Sequence, residues 1–296
     1  MQLEKLFSTT EVARMWNVSE STVKRWADSG DLVCIKTRGG HRRFSLDEIS
    51  QFQRKQGFDA AGSIASSEGG SSEPASEELE RALARPSLPD LARLVERRAL
   101  EGDSTGLRAI LARAYLRGVT PVDLFELVVA EAMHSTGEQW MRGELTVADE
   151  HVATRTTVDA MTRLVPELIR KPSNGRTAVV GCPEEELYEV ASRSIASLLE
   201  LEGWRVIALG MNTPFFSFRD AIAKYLPHLV CISSTLMIDI ERHAREYNGL
   251  YESAEACGAR VAIGGAGFQD PAVRARFRHD RYCETFHDLV RYAALA

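Results

Sequence analysis

A twenty-residue stretch from Asp59 to Glu78 divides the chain into separate folding units. It consists mainly of Gly, Ser, Ala and Glu and contains a single large apolar residue, Ile64. Such a segment cannot bury enough apolar surface to offset the entropy lost on ordering, so it predicts a flexible tether. The chain, at 296 residues, is also longer than one domain usually is. We therefore expect a small module at residues 1–57, a linker at 58–78 and a larger body behind it.

Charge is distributed unevenly between these pieces. The net charge is −6, but residues 1–57 hold ten Lys and Arg against seven Asp and Glu, so they carry +3 and the remainder −9. This asymmetry is typical of a small basic module that contacts a polyanion, carried by an acidic body. No apolar run is long enough to span a membrane, and no signal peptide precedes the module, so we expect a cytoplasmic protein. The five cysteines are scattered without a CxxC pair, which argues against a disulfide framework or a zinc site.

The N-terminal module contains the signals of a helix-turn-helix followed by a hairpin. Ser8 and Glu11 form a capping box that predicts the start of a short helix, and Ser19 caps a second helix at about residues 20–29. Two adjacent glycines then allow a tight hairpin tip between basic side chains. This order of elements predicts a winged DNA-binding module.

Eight polar side chains of this module are candidates for DNA contact. Those on the outer side of the second helix would meet the major groove, and those on the hairpin would bind phosphates. The first group is Ser21, Thr22, Lys24 and Arg25, and the second is Arg38, His41, Arg42 and Arg43. A small helical protein-interaction module with a solvated basic loop is the alternative. Because one short recognition helix discriminates few bases, we expect a double-stranded DNA operator to be bound by a homo-oligomer, a dimer or a tetramer.

The module resembles the MerR family of transcription regulators, in particular the branch whose wing has the form TxGGHRRF. The resemblance covers residues 6–56 and rests on the order of helix, turn, helix and wing, with the wing sequence at residues 37–44. It implies a winged helix-turn-helix that binds double-stranded DNA.

Residues 79–171 have apolar side chains at helical spacing. Thr120 and Pro121 place a capping residue before a proline at the first helical position, which predicts a long helix towards Trp140. Four or five helices joined by short loops predict a helical bundle.

From residue 172 onwards, short β-branched runs alternate with helical segments. Strands are predicted at 177–181, 205–209, 229–233, 261–264 and near 281–284, and helices at about 184–202, 217–226, 239–256, 271–278 and 286–295. This alternation predicts a five-stranded parallel sheet at residues 172–296, covered by helices on both faces. The expected fold class is therefore a multi-domain protein of the α and α/β type.

The last two helices of the bundle carry a group of side chains that suits a cofactor. Trp140 is followed, after nine residues, by Glu150 and His151. An indole, a carboxylate and an imidazole on one surface could cover a bulky flat cofactor and hydrogen-bond to its substituents. Equally, Trp140 could be a core residue and Glu150 a charge at a helix start. The spacing alone leaves both interpretations open.

The whole chain resembles the CarH/LitR family of cobalamin-dependent, light-responsive repressors. The resemblance rests on the order of the three domains and on the spacing of Trp140, Glu150 and His151. It implies that these three residues shield the upper ligand of cobalamin. It also implies that the α/β domain is flavodoxin-like, with the cofactor at the carboxyl ends of its strands.

Two further motifs of that family have matches here. Ser234-Thr235-Leu236 follows the third strand, and Gly264-Gly265 follows the fourth. The resemblance implies that Ser234, Leu236 and the two glycines contact the nucleotide tail of the cofactor. Small residues would let the backbone approach that tail.

The chain departs from the family at the two positions that would bracket the cobalt. The family's loop of an acid, a histidine two residues later and a glycine aligns here with Glu186, Tyr188 and Ala191. Tyrosine, with a phenolic pKa of about 10, is a poor cobalt ligand at neutral pH compared with imidazole. The residue after the family's tryptophan, which can supply a histidine to cobalt after light, is Met141.

Three explanations of these departures remain open. The protein binds cobalamin, such as adenosylcobalamin, with the cofactor's own base or with no protein ligand. Alternatively, it has lost cobalamin and uses the same cleft for another flat or nucleotide-like molecule. Finally, the body could serve only in oligomerisation and protein interaction.

The expected function is that of a DNA-binding transcriptional regulator, a repressor by resemblance, and not of an enzyme. Its ligand, with cobalamin and light as the expected signal, would bind between the helical bundle and the α/β domain. A cobalamin-independent regulator is the alternative. A corrinoid methyl carrier would be the enzymatic alternative, but it would need the loop histidine and has no DNA-binding module.

Overall fold

The chain forms two compact units, Met1–Ile169 and Arg170–Ala296. The computed structural model describes residues 6–16, 18–37, 39–45, 48–49, 52, 74–84 and 87–296. A small α and β module and a helical bundle lie in the first unit, and a parallel α/β domain forms the second. The predicted fold class is thereby confirmed. None of the helices described has the length and apolarity that crossing a membrane requires.

The N-terminal module is a helix-turn-helix with a three-stranded antiparallel sheet of order β1-β3-β2. Its elements are β1 (Leu6–Ser8), α1 (Thr9–Met15), α2 (Glu20–Asp28), β2 (Ile35–Lys36) and β3 (Arg42–Ser45). Both predicted caps are present. The Ser8 N–H donates to Glu11 Oε2 at 2.6 Å, and the Ser19 hydroxyl accepts from the Thr22 N–H at 3.2 Å. The prediction missed β1, which pairs with β3 but is only three residues long.

Buried apolar side chains from every part of the module form its core. Aromatic rings dominate it, since the Trp16 ring lies 5.1 Å from that of Phe52 and 5.8 Å from that of Trp26. The fully or nearly buried members are Phe7, Val12, Ala13, Trp16, Val23, Leu32, Phe44, Ile49 and Phe52. This core fixes α2 against the sheet and leaves the opposite face of the helix to solvent.

The bundle consists of helices joined by short connections. They are α3 (Pro74–Ala84), α4 (Leu88–Leu100), α5 (Ser104–Leu116), α6 (Pro121–Asp123), a π-helical segment (Leu124–Ala130), α7 (Glu131–Met141), α8 (Val147–Leu164) and a 3-10 turn (Val165–Glu167). The helix predicted from Pro121 towards Trp140 is present, and Thr120 caps it by accepting from the Asp123 N–H at 3.2 Å. The π-helical segment in its middle has no sequence signal that we recognise.

The predicted linker extends too far along the chain. The prediction gives a linker that ends at residue 78, whereas α3 begins at Pro74. Proline suits the first helical position because its missing N–H would have no helical partner there. Glu78 then pairs with Arg97 of α4 at 2.9 Å, and Ala82 and Leu83 are buried, so tertiary contacts stabilise a helix that composition alone did not indicate.

The α/β domain is a five-stranded, entirely parallel sheet of order β5-β4-β6-β7-β8. Its elements are β4 (Thr177–Pro183), α9 (Val190–Leu201), β5 (Arg205–Thr213), α10 (Phe215–Tyr225), β6 (Leu229–Ser233), α11 (Ile240–Ala256), β7 (Arg260–Gly264), a 3-10 turn (Ala266–Phe268), α12 (Pro271–Arg274), β8 (Arg281–Cys283) and α13 (Phe286–Leu295). All five predicted strands are present. Two separate hydrophobic cores pack against the sheet.

Two predicted helices of this domain differ from the structure. Residues 184–189 form a turn and not the first part of a helix, because Glu185 has the left-handed φ of 70° and side chains of other loops hold the backbone. The segment after Arg274 leaves the helix through tight turns that bury Phe277, so α12 is four residues shorter than predicted.

Candidate DNA-binding and ligand-binding surfaces

Helix α2 buries Val23 on one face and presents polar side chains on the opposite face. Ser21, Lys24 and Arg25 are exposed, and Thr22 is half-buried beside the capping hydroxyl of Ser19. The Lys24 ammonium lies 3.3 Å from Glu20, one turn earlier, in an exposed pair that water and salt can readily replace. The four residues predicted for base contact therefore lie together on one helix.

The wing is a short hairpin between β2 and β3. The Thr37 N–H donates to the His41 carbonyl at 2.9 Å, and Gly40 at the tip has a φ of +77°, which glycine adopts without strain. His41 is exposed and Arg43 half-buried, with Nη1 of Arg43 donating to the Arg42 carbonyl at 3.3 Å. Arg38 lies outside the described residues.

Arg42 differs from the other described wing residues because its guanidinium forms an ion pair within the module. Its Nη2 lies 2.5 Å from Oδ1 of Asp28, the last residue of α2, and its Nε is buried without a hydrogen-bond partner among the described residues. This pair joins the wing to the end of the recognition helix. The structure thus gives Arg42 a positioning contact besides the phosphate contact that the sequence predicted.

Trp140 lies at the end of α7 and is not a core residue, since 38% of its surface is exposed. Its neighbour Met141 is 72% exposed. Helix α8 begins five residues later with a complete capping box, in which the Thr146 N–H donates to Asp149 at 2.8 Å and the Asp149 N–H donates to Thr146 Oγ1 at 3.2 Å. The Thr146 hydroxyl and N–H lower the pKa of Asp149 below its usual value.

Glu150 and His151 lie in the first turns of α8. Glu150 is half-buried and accepts from the Thr154 hydroxyl at 2.8 Å, and the exposed His151 has its Nδ1 at 2.8 Å from the Val147 carbonyl. A carbonyl only accepts, so Nδ1 carries a hydrogen and Nε2 of the neutral ring is an acceptor. Val147 and Val152 are also exposed at this end of the bundle. An indole, aliphatic side chains and oriented polar groups therefore line adjoining helix ends.

Glu186 joins the loops after β4 and β6 to each other and to the end of β5 at the carboxyl edge of the α/β sheet. It is only 2% exposed, and its carboxylate accepts from the backbone N–H groups of Tyr188 at 2.9 Å, Leu236 at 3.3 Å and Thr235. Its carbonyl accepts from the Asn212 N–H at 2.9 Å. The loop after β4 is thereby fixed to the end of β5 and to the loop after β6.

Tyr188, at the position that aligns with the family's histidine, is 42% exposed in this loop. Cys182, whose thiol lies 3.7 Å from the Tyr188 carbonyl, is buried, and burial raises the pKa of that thiol to about 11. It is therefore a protonated thiol at neutral pH and a poor metal ligand. Across the described parts of the chain, no three His, Cys, Asp or Glu side chains are grouped so that they could hold a metal ion.

Ser234 follows β6, Gly264 ends β7 and Gly265 comes next, so the three lie together at the carboxyl ends of these two strands, and Leu236 is in the same loop as Ser234. Ser234 is buried and its hydroxyl donates to the Leu236 carbonyl at 3.1 Å, while Leu236 itself is 63% exposed. Gly265 has a φ of +94°, and a Cβ there would lie 2.4 Å from the Ser234 carbonyl oxygen. The close approach that requires this glycine is made by the protein's own backbone, so it does not by itself indicate a ligand.

The carboxyl edge suits the face of a corrin ring better than it suits coordination of the cobalt. Apolar side chains of the loops after β4 and β6 and of the end of β5 are exposed there, which suits a flat macrocycle with a largely apolar face. They are Leu187, Met211, Leu236 and Ile238. The loop at 184–189 has no imidazole for the lower face of cobalt, and its only buried carboxylate is occupied by backbone N–H groups.

The sequence analysis did not single out two residues that hold this edge. Arg242, at the start of α11, donates to Glu184 and Glu185 at 2.9 Å each. Asn212 has a φ of 51° and its side chain accepts from the Glu185 N–H at 2.9 Å. Asparagine is enriched in left-handed backbone, which gives a weak signal for Asn212. The role of Arg242 depends on tertiary contacts and has no such signal.

Two segments of the chain match known protein families. Residues 6–57 match the helix-turn-helix domain family, and residues 91–164 match the B12 binding domain family. The second match covers the helices that carry Trp140, Glu150 and His151.

Curated relatives fall into two groups. The chain is 24% identical over 185 residues to trimethylamine corrinoid protein 1 of Methanosarcina acetivorans, covering 61% of this chain and 85% of that protein. It is 25% identical over 294 residues to the HTH-type transcriptional repressor CarA of Myxococcus xanthus, covering 94% and 93%. It is 30% identical over 152 residues to the repressor CarH of the same organism, covering 51% and 50%.

Among solved structures, the monomethylamine corrinoid protein of Methanosarcina barkeri has the same fold. The TM-score is 0.59 at 16% identity, covering 70% of this chain and 98% of that one. The similarity to the corrinoid proteins covers 61% to 70% of the chain, whereas the similarity to CarA covers 94% of it. The chain therefore combines a segment that matches the helix-turn-helix domain family with a segment that matches the B12 binding domain family, and over nearly its whole length it is similar to an HTH-type transcriptional repressor.

Proposed function

We propose that this protein is a transcriptional repressor whose binding to double-stranded DNA is controlled by a corrinoid. The observation that carries the proposal is that one chain combines two features. The first is a helix with outward Lys24 and Arg25 beside a wing with exposed His41, and the second is a B12-binding domain with an exposed indole. Lys24 and Arg25 would read the major groove with Ser21 and Thr22, and the wing would bind phosphates.

In the bundle, Trp140 would cover the upper face of the corrinoid. Its indole is fixed at the end of α7, and the Nε2 of His151 and the carboxylate of Glu150 are polar groups that could bind substituents at the rim of the ring. Met141, exposed beside Trp140, has a weakly basic thioether and replaces the histidine of the family's light response.

In the α/β domain, the exposed apolar side chains at the carboxyl edge would contact the ring. No imidazole of the loop after β4 is available to cobalt, so adenosylcobalamin would bind with its own base or with no protein ligand. When bound, it would supply absorption of visible light. We expect a homo-oligomer, since several N-terminal modules are needed to bind a DNA site of useful length. The ligand would control DNA binding by changing this assembly.

The test is to add adenosylcobalamin in the dark to the full-length protein and to record the visible spectrum after dialysis and the mass by light scattering. A retained band and a change of mass are expected, and Trp140→Ala should lose the band. His134→Ala, an exposed substitution on the same helix, is the matched control and should retain it. A wild-type protein that retains no band refutes the corrinoid as ligand.

A second variant tests where the ring lies. Tyr188→His would place an imidazole at the position that the family uses for cobalt, so the spectrum of the bound cofactor should change relative to wild type. An unchanged spectrum would mean that the loop after β4 does not lie beneath the cobalt.

A cobalamin-independent regulator is the second candidate. Glu186 favours it, because its carboxylate closes the loop where a ligand histidine would otherwise lie. In that case DNA binding would be tight and indifferent to corrinoids and light. An enzymatic role as a methyl carrier is the less suitable assignment, since the loop histidine is replaced by Tyr188 and the chain carries a DNA-binding domain.

A further inference from the structure

The edge of the α/β sheet opposite Glu186 carries a row of four arginines and one histidine, and Nδ1 of that histidine accepts from the Thr177 N–H at 3.2 Å. Arg205, Arg260 and Arg281 are the first residues of β5, β7 and β8, while Arg176 and His228 immediately precede β4 and β6. The strands are all parallel, so their amino ends lie at one edge. We refer to these five residues as the basic row.

Backbone hydrogen bonds hold the members of the row next to each other. The Arg205 N–H donates to the Arg176 carbonyl at 2.9 Å, and the Arg260 N–H donates to the His228 carbonyl at 3.0 Å. The His228 N–H donates to the Thr177 carbonyl at 2.8 Å, which joins the two pairs. The backbone of the row therefore belongs to the hydrogen-bonded sheet, which holds the five residues at fixed positions.

Three of the guanidinium groups lie over aromatic rings. Arg176 is 5.6 Å from the ring centroid of Trp204, Arg205 is 5.9 Å from that of Tyr225, and Arg260 is 6.0 Å from that of Tyr292. Such contacts limit the positions that the cation adopts. The Arg176 guanidinium is half-buried and also donates to the Ala293 carbonyl at 3.4 Å, whereas Arg205 and Arg260 are exposed to an approaching anion.

One carboxylate lies at the same edge, since Asp280 precedes Arg281 and its Oδ2 accepts from the Val261 N–H at 2.6 Å. Arg205, Arg260 and Arg281 are exposed and form no ion pair with any residue that the structure describes. The adjacent Arg170, by contrast, pairs with Glu200 at 2.7 Å. The domain at residues 170–296 has 15 Lys and Arg against 16 Asp and Glu, so the row reflects segregation of charge and not an excess of cations.

We propose that the basic row is a second, sequence-independent contact with duplex DNA, in which the α/β domain binds backbone phosphates. The inference rests on the proposed DNA-binding function and adds a contact to it. Four strand intervals of about 4.8 Å make the row about 19 Å long, which is the rise of about five to six base pairs. Guanidinium groups match phosphate oxygens in geometry and charge. The row offers cations without a helix that could enter a groove, so it would add affinity without sequence preference.

The test compares two matched variants of the full-length protein on a random-sequence duplex over a series of salt concentrations. The row variant is Arg205→Gln with Arg260→Gln and Arg281→Gln. The control, Arg193→Gln with Arg276→Gln and Arg291→Gln, removes the same charge from ion-paired arginines of the same domain. Circular dichroism spectra and melting temperatures establish that both variants fold.

The row variant should bind the duplex at least tenfold more weakly at low salt. The slope of log K against log salt should be shallower by about 2 to 3, at about 0.9 for each lost phosphate contact. The control should match the wild type. A row variant equal to the control overturns the inference and leaves the proposed function intact. A change of oligomeric mass with unchanged DNA affinity would assign the row to a second copy of the chain and likewise overturn it.

A further variant separates this inference from the proposed function. Lys24→Gln with Arg25→Gln should lose preference for a selected operator but keep salt-dependent binding to the random duplex, since the row remains. Loss of both kinds of binding would overturn the row as an independent contact. A wild-type chain that binds no duplex at low salt would contradict the proposed function together with the row.

Discussion

Removing the Glu186 carboxylate should loosen the carboxyl edge of the α/β sheet while leaving the rest of the domain folded. In Glu186→Ala, the N–H groups of Tyr188, Thr235 and Leu236 lose their common acceptor. A hydrogen bond to a charged group contributes about 1.5–3 kcal/mol, but water can reach these loops and replace part of each bond. We therefore expect a loss of about 2–4 kcal/mol in the local free energy of opening. Glu186→Gln should lose about half as much, because its amide oxygen still accepts.

Hydrogen exchange followed by mass spectrometry measures this directly. Exchange of the peptide that contains Thr235 and Leu236 should accelerate at least tenfold in Glu186→Ala, since about 1.4 kcal/mol corresponds to a factor of ten. The control is Glu189→Ala in the same loop, whose carboxylate makes only a partly exposed pair with Arg193 and should change exchange little. Equal exchange in Glu186→Ala and wild type would refute the assignment of Glu186 as the residue that joins the loop after β4 to the loop after β6.

Three further predictions concern other parts of the chain. Arg43→Gln should reduce the salt slope of DNA binding by about 1, whereas Arg42→Gln should also lower the melting temperature because it breaks the pair with Asp28; equal melting temperatures would contradict the positioning contact. Thr146→Ala should destabilise the unit by about 1 kcal/mol in urea unfolding by removing the cap of α8, and an unchanged midpoint would show that the cap is dispensable. Burial raises the pKa of Cys182 and of Cys283 to about 11, so iodoacetamide at pH 8 should label Cys34 and Cys257 well before them, as mass spectrometry can determine. Raising the pH from 9 to 11 should also lower the free energy of unfolding, because these two thiols ionise in the unfolded chain before they ionise in the folded one.

The fold could be predicted largely from the sequence because its signals are local. The five strands of the α/β domain are short β-branched runs, and the helix starts at Ser8, Ser19 and Thr146 carry a capping residue at the right spacing. These features act over three or four residues, so no knowledge of tertiary contacts is needed to recognise them.

The errors occurred where contacts between distant segments decide the backbone. Residues 184–189 have a helical pattern, but Glu186 and Asn212 hold them as a turn through bonds to other loops. Helix α3 begins inside the predicted linker because its Ala82 and Leu83 are buried by tertiary contacts, to which Glu78 adds an exposed pair with Arg97 of α4. Neither partner can be identified from the spacing of residues along the chain.

The candidate residues could be named from the sequence, but their environment could not, and their roles stay predictions. The spacing left open whether Trp140 is a core residue, and the structure shows it 38% exposed, whereas the backbone of Ser234 already accounts for the glycine at 265. The ring of side chains that would cover a cofactor stays a prediction. Arg42 shows the same limit, because its pair with Asp28 joins residues fourteen positions apart.

The most direct test of the central claim is the DNA affinity of the full-length protein with and without its proposed ligand. A duplex selected from a random library by the protein would be titrated in the dark, by fluorescence anisotropy, in the absence of corrinoid and at saturating adenosylcobalamin. A change of at least tenfold in Kd, reversed or reduced in Trp140→Ala, is the result that corrinoid control of DNA binding predicts. The same Kd under both conditions would contradict it.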